Sequence, residues 1–248
     1  MGTRLNKYLA QCGLGSRRTV EKLITAGRIA VNGKKIVRLA TVIEPYDRID
    51  LDGRPVTRIQ RPLYIMLNKP GGYITTLHDE KNRPTVMDLI PEKYRRLGVY
   101  PVGRLDRDTS GLLLLTNDGE LAYRLMRPAF HVKKEYNVEI DRPLAEADRL
   151  TIVRGVYIHQ LNIKTGSARV DCVDASRRRI RVVISEGKNR QIRYTFLNLN
   201  YRIKSLERTA YGTLTMKHLK KGALRELTET ELRTLRLMTG LDAIESMR

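Results

Sequence analysis

A run of four leucines, Leu112 to Leu115, limits what this 248-residue chain can become more than any other feature. It stands between Gly111 and the turn residues Asn117, Asp118 and Gly119, and at that length it reads as a short strand buried on both faces. The residues just ahead, GRLDRDTSG, carry Asp106 and Asp108. A carboxylate beside so apolar a strand needs a partner or a purpose.

Other β-rich segments recur from Leu63 onward: LYIMLNKP, KKEYNVEI, SARVDCV and RRIRVVISE. Helical patterns separate some of them, at 117 to 126, 143 to 154, 188 to 199 and 228 to 237. Strands that mostly neighbour one another in sequence, with helices inserted irregularly, predict an α+β fold whose mixed, mostly antiparallel central sheet is flanked by helices. Neither GxGxxG nor GxxxxGK[ST] occurs, so a nucleotide-cofactor fold has no support.

The first sixty residues differ in kind. Residues 4 to 13 read as an amphipathic helix with Leu5, Tyr8 and Leu9 on one face and Gly13 as its stop. A second helix starts at Ser16, shows Val20, Leu23 and Ile24 inward, and ends before Gly27; RIAVNGKKI then reads as a hairpin about Asn32-Gly33. Residues 1 to 61 hold 13 Lys or Arg against 5 Asp or Glu, and Glu21 is the single acid of the first 43. Helices built for stability alone interleave acids with bases, so the cluster Arg4, Lys7, Arg17, Arg18, Lys22 and Arg28 predicts a surface that binds phosphate. The whole chain, with 47 basic and 27 acidic residues, has a net charge of +20 and points to nucleic acid as partner.

Several classes lose support. No apolar run approaches the ~18 residues of a membrane span, and no signal peptide is read at the N-terminus, so a cytoplasmic protein is expected. Cys12 and Cys172 lack CxxC spacing and the four histidines are scattered, so no metal site is expected.

Residues 4 to 36 resemble the RNA-binding domain first known from ribosomal protein S-four, two helices with a small sheet, and the likeness holds from residue 3 to about residue 52. Domain limits follow: an S-four-like domain over 1–52, a linker over 53–61, a large domain over 62–241 and a tail over 242–248. In the large domain LNKPGGYITT, PTVMDLIP, GRLDRDTSGLLLLTNDG, KEYNVEI, EGKNRQIR and IKSLERTAYGTL occur in the order that resembles the bacterial ribosomal-RNA pseudouridine synthases of the small-subunit and large-subunit (Rsu/Rlu) type, which carry an S-four-like domain in front. The likeness runs from about residue 3 to residue 236.

That resemblance implies an isomerase for rRNA modification and ribosome biogenesis. The bond from sugar to base nitrogen is broken, the uracil turns in the pocket, and it is rejoined through ring carbon five, with no cofactor consumed. By residue, the resemblance assigns Asp106 as the catalytic aspartate, acting on the sugar directly or through a covalent adduct, and Arg193 as its basic partner. An opposite charge within ~4–6 Å favours a carboxylate's charged form, and a bidentate guanidinium also fixes its direction. Tyr136 becomes the ring that stacks on the target uracil, a contact that tolerates rotation of the base. Leu206 becomes a second apolar wall. Arg104 is placed to contact RNA or fill the gap left by a flipped uridine, and Arg190 to meet phosphate. Asp108 is expected to cap the amides that follow it. The turn geometry of Lys69-Pro70-Gly71-Gly72 gives that loop a sufficient structural reason, while Arg177, Arg178 and Arg179 either touch RNA or are solvated. Where the family continues NRQIR with Arg and Met, this chain has Tyr194 and Thr195, which removes one basic side chain beside the pocket.

Large-subunit RNA, naked or in a pre-ribosomal particle, is the favoured substrate over small-subunit RNA, and a monomer suffices. A ribosome-assembly factor without activity would have no need of Asp106, Tyr136 and Arg193 together. A two-metal nuclease would need more acids than Asp106 and Asp108.

Overall fold

The computed structural model describes residues 2–57 and 62–241. The chain divides into two compact units: one comprises the residues up to Tyr64 with Ile90–Tyr100 and Thr116–Gly119, the other Ile65–Leu89, Pro101–Leu115 and the chain from Glu120 onward.

In the first unit, helix α1 (Leu5–Gln11) and helix α2 (Arg17–Thr25) put Leu5, Leu9, Val20 and Ile24 into a shared core with Ile29, Ile43 and Ile49. The Ser16 hydroxyl caps α2 by accepting from the Thr19 amide at 3.1 Å. Strands β1 (Ile29–Val31) and β2 (Lys34–Ile36) pair antiparallel across Asn32 and Gly33, whose φ values of 50° and 77° suit the right-handed twist of a two-residue hairpin. Strand β3 (Ile49–Leu51) pairs with β1 and continues through an Asp52-Gly53 turn into β4 (Arg54–Pro55).

That last pairing corrects the linker expected over 53–61. Its first residues extend the sheet, with Pro55 on an edge strand where a missing N–H is tolerated, and Val56 packs on the core while its amide donates to the Ile49 carbonyl. Residues 58–61 of the expected linker, and the expected tail over 242–248, lie outside the described residues.

The second unit is organised on a mixed sheet. Its strands are β5 (Tyr64–Lys69), β6 (Ser110–Thr116), β7 (Lys134–Ile140), β8 (Arg169–Cys172), β9 (Arg179–Ile184), β10 (Ile203–Tyr211) and β11 (Leu224–Glu226). They lie in the order β8-β9-β7-β10-β6-β5-β11. The β8·β9, β9·β7, β7·β10 and β5·β11 pairs are antiparallel and β10·β6 is parallel, as an α+β reading requires. Every residue of Gly111–Thr116 is buried, so the leucine run is a strand covered on both faces. By contrast β7 alternates, with Tyr136, Val138 and Ile140 inward and Asn137 and Glu139 outward.

Helices α3 (Gly119–Met126), α4 (Glu146–Arg154), α5 (Gln191–Asn198) and α6 (Glu229–Met238) occupy the four segments expected, each starting one to three residues late because caps and turns precede it. Thr228 and Glu231, for example, form a reciprocal capping box ahead of α6. Strand β10 lies at the centre of the sheet although its sequence, IKSLERTAY, was not among the β-rich segments.

Candidate active site

The chain from Gly103 to Thr109 forms an irregular loop leading into β6, and two buried side chains hold it from beneath. Lys69, at the end of β5, has no solvent exposure and donates to the carbonyls of Pro70, Asp106, Arg107 and Thr109 at 2.8–3.2 Å. Burial pushes its ammonium down to about 8 against the pull of Asp108 and Asp106, which leaves it charged at neutral pH. The Thr75 hydroxyl donates to the Leu105 carbonyl at 2.7 Å and accepts from the Leu105 amide at 3.2 Å. A third tie joins the loop to Gly72, whose amide donates to the Arg107 carbonyl at 2.8 Å while Arg107 Nε donates back to the Gly72 carbonyl at 3.3 Å. The LNKPGG turn is therefore the clamp of the Asp106 loop, a task that turn chemistry alone did not disclose.

Two arginines from the start of α5 meet Asp106. Arg193 Nε lies 3.5 Å and Arg190 Nη1 3.8 Å from the same oxygen, Oδ2. Arg193 is the better buried of the two, and its Nη2 donates to the Asp108 carbonyl and to Thr109 Oγ1, both at 3.2 Å. The contact is one of charge rather than the bidentate pair expected, so the backbone clamp fixes the direction of the carboxylate. Asp108 is exposed, and its side chain caps none of the amides that follow; its backbone carbonyl, held by Arg193, is its contribution.

Arg190 is the N-cap of α5 and sits in the left-handed region at φ 46°, where non-glycine residues are strained. The loop that leads to it is fixed by Gln191, which donates to Glu186 at 2.6 Å and accepts from the Lys188 amide at 3.1 Å. Tyr194, one of the two departures from the family pattern, lies under the Arg190 guanidinium at 6.0 Å, and Thr195 is buried within α5.

Asp106, Arg104, Arg190, Arg193, Tyr136 and Leu206 all line one cavity of about 540 Å³, inside the ~300–1,000 Å³ range of small-molecule sites. Its floor is the inward face of β7 and β10, where Tyr136 stands opposite Arg208 and Leu206 opposite Val138. Tyr136 and Leu206 are nearly buried, at 8% and 5% exposure, and form apolar walls. Two further cavity residues escaped the sequence reading: Arg208, buried in mid-strand, and Lys134, which burial and the nearby Arg208 push down to about 8 against Glu186. Their signal was present in KEYNVEI and LERTAYG, but neither periodicity nor spacing marks an inward cation.

Of the N-terminal cluster, Arg4, Lys7, Arg17, Arg18, Lys22 and Arg28 are all exposed. Arg28 is neutralised by a bidentate ion pair with Asp52, and Arg17 donates to Asn6 Oδ1 at 3.2 Å. Arg17 and Arg18 occupy the first turn of α2, which has no acid there, although helix N-termini favour negative charge. In the 177–179 turn, Arg177 pairs with Glu146 at 2.8 Å and Arg179 with Asp174 at 2.5 Å, so two of the three have structural partners.

Residues 63–198 match the family model described as RNA pseudouridylate synthase, and residues 3–49 match the S4 domain. Ribosomal large subunit pseudouridine synthase B of Bacillus subtilis (strain 168) is 36% identical over 237 residues, 95% of this chain and 96% of its own length. A protein of Aquifex aeolicus (strain VF5) described as an RNA pseudouridine synthase is 34% identical over 100% of this chain and 99% of its own length. A crystal structure of a pseudouridylate synthase superposes with a TM-score of 0.69 at 28% identity, covering 94% of this chain and 99% of that one. A carboxylate in a cationic, aromatic-walled cavity, in a chain whose residues 3–49 match an S4 domain, defines an enzyme that acts on RNA. The chain belongs to the RNA pseudouridylate synthase family.

Proposed function

We propose that the protein converts one uridine of large-subunit ribosomal RNA to pseudouridine, with Asp106 as the catalytic residue. The observation that carries this reading is the convergence of Asp106, Arg193, Tyr136 and Leu206 on one cavity from four separate elements, the Asp106 loop, α5, β7 and β10. Preference for the large subunit rests on the likeness to the Bacillus subtilis protein, whose name states that substrate.

In this account the uridine leaves its stack and enters the cavity, with Arg104 at the mouth filling the gap. Its ring lies against Tyr136 and Leu206. When the C1′–N1 bond breaks, the electron pair stays on the base, and Asp106 meets the sugar either as nucleophile at C1′ or as base for a sugar proton. Arg193 holds the carboxylate, and Arg190, more exposed and strained, serves a flanking phosphate. The ring turns, and C5 bonds to C1′ as the Asp106–C1′ ester bond breaks or, on the base route, as Asp106 returns the proton to the sugar; the C5 proton is lost as N1 gains one, so atoms and charge balance with no cofactor.

The N-terminal domain, which the β3–β4 pairing extends to about Val56, supplies RNA affinity through Arg4, Lys7, Arg17, Arg18 and Lys22, with a lesser part for the paired Arg28; the catalytic domain spans 62–241. No described helix is long and apolar enough to cross a membrane, and the protein is taken to work as a cytoplasmic monomer on rRNA or its assembly intermediates.

The test is incubation of the purified protein with separate large-subunit and small-subunit rRNA transcripts, followed by carbodiimide treatment and primer extension. One new stop in the large-subunit transcript supports the reading. A stop confined to the small-subunit transcript reverses the subunit, and no stop in either naked or partly assembled RNA defeats it.

A further inference from the structure

We infer that Lys134 and Arg208 together form the binding site for the two carbonyl oxygens of the target uracil and hold the negative charge that the ring carries while it is detached. This inference rests on the isomerase reading above and assigns the part of the cavity that reading leaves without a role.

The sheet register puts both cations under the base. Arg208 stands directly opposite Tyr136, and Lys134, two residues before Tyr136, stands opposite Tyr211, so all four side chains share the cavity face. Arg208 is 2% exposed, with its guanidinium 4.8 Å from the centre of the Tyr211 ring. Lys134 Nζ lies 5.6 Å from the same ring centre. The two cations thus flank one aromatic ring on the cavity floor.

Their hydrogen bonding is incomplete. Arg208 Nε donates to the Leu112 carbonyl at 2.7 Å, but its Nη2 is buried without a partner. Lys134 Nζ has one acceptor, the Val132 carbonyl at 3.0 Å, where an ammonium has three donors. Among the described residues no carboxylate lies within 4 Å of either cation. A buried arginine with an unpartnered donor beside a half-buried lysine with no carboxylate is costly, and a purely structural purpose explains too little: pinning β6 to β10 uses Arg208 Nε alone and has no use for Lys134. Lys134, lowered by burial and by Arg208, is a group whose charge a bound anion would stabilise.

The chemistry of the ring fits a pair of sites. When C1′–N1 breaks, the electron pair on N1 delocalises onto O2 and O4. To bring C5 where N1 was, the ring turns half a revolution about the line through N3 and C6, which exchanges N1 with C5 and O2 with O4. Two cations that each hold one carbonyl oxygen therefore serve the base equally before and after the turn, and most strongly while it is an anion. As C5 bonds to C1′ the C5 proton departs, N1 is protonated, and the charge is gone.

The experiment uses the full chain and the modified large-subunit rRNA transcript, comparing wild type, Lys134→Gln and Lys134→Arg for RNA affinity, salt dependence, unfolding midpoint and single-turnover rate across pH. Lys134→Gln should slow the saturated single turnover by ~10²-fold or more with Kd and salt slope unchanged, as loss of an oxyanion donor does. The groups facing Lys134 are Arg208 and Tyr211 from β10 and Glu186 from the loop after β9. Because the charged form is the active one, the wild-type rate should fall as pH rises through about 8, and Lys134→Arg should move that fall to higher pH. If Lys134→Gln does not fold, the alkaline limb of Lys134→Arg decides alone. A wild-type saturated rate in Lys134→Gln, a loss confined to Kd and salt slope, or an alkaline limb unmoved in Lys134→Arg overturns the inference while leaving the isomerase reading intact. A wild-type enzyme that forms no pseudouridine overturns both.

Discussion

Asp106 owes its place to backbone hydrogen bonds more than to its ion pairs. Contacts at 3.5 and 3.8 Å to one oxygen are loose, whereas four carbonyls of the surrounding loops converge on Lys69. Replacing Asp106 by Asn should therefore abolish isomerisation while changing unfolding free energy by no more than ~1 kcal/mol, because partly exposed ion pairs contribute little; denaturant titration beside a turnover assay checks both. Lys69→Met should lower both, removing the donor from four acceptors and costing about 3 kcal/mol of stability, with activity falling because the loop loosens. A variant as stable as wild type in urea would show that the clamp does not hold the loop. At this scale Asp106, Arg193 and Tyr136 were legible through motifs and through nothing else, since spacing alone reads them as a turn acid, a helix cation and a strand aromatic. Lys69 was hidden because a lysine beside Pro-Gly-Gly looks like a solvated turn residue.

Among the elements, the junction of β6 with β10 is what joins the Asp106 loop to the cavity floor. It is parallel and close: a Cβ on Gly111, at φ +108°, would stand 2.3 Å from the Arg208 carbonyl oxygen and 2.6 Å from its amide nitrogen. Gly111→Ala should cost ~3 kcal/mol or more from strain and clash, and activity should fall with it; a folded variant with normal stability and turnover would contradict this account of the junction. Strands β6, β7 and β9 were legible because their apolar patterns are continuous or alternate cleanly. Strand β10 was not, for its inward positions run Leu206, Arg208, Tyr211 across a bulge, and an inward arginine breaks the alternation. The local rule fails where the cavity is built, as expected when a functional group displaces a core residue.

Taken as a whole, the molecule couples a small basic domain to a catalytic one. Within the basic domain Arg18 and Lys22 make no ion pair among the described residues and lie one helical turn apart, so they are exposed cations free to meet phosphate. Changing both to Gln should weaken RNA binding and lower the magnitude of the salt slope by about 1.5, with the unfolding midpoint unchanged; an unchanged slope in filter binding would remove them from the interface. The two-part plan was readable from a helix cap, an Asn-Gly turn and the charge asymmetry of the first sixty residues, whereas the pairing of Arg54–Pro55 was not, because proline and charge in that segment read as linker. The account as a whole stands or falls on pseudouridine mapping of ribosomal RNA, by carbodiimide-dependent stops, in cells with the gene, without it, and with the gene restored as wild type or as Asp106→Asn. One large-subunit stop should vanish with the gene, return with the wild-type copy and stay absent with Asp106→Asn. A stop that returns with Asp106→Asn would contradict the assignment of the catalytic residue and with it the mechanism built around the cavity.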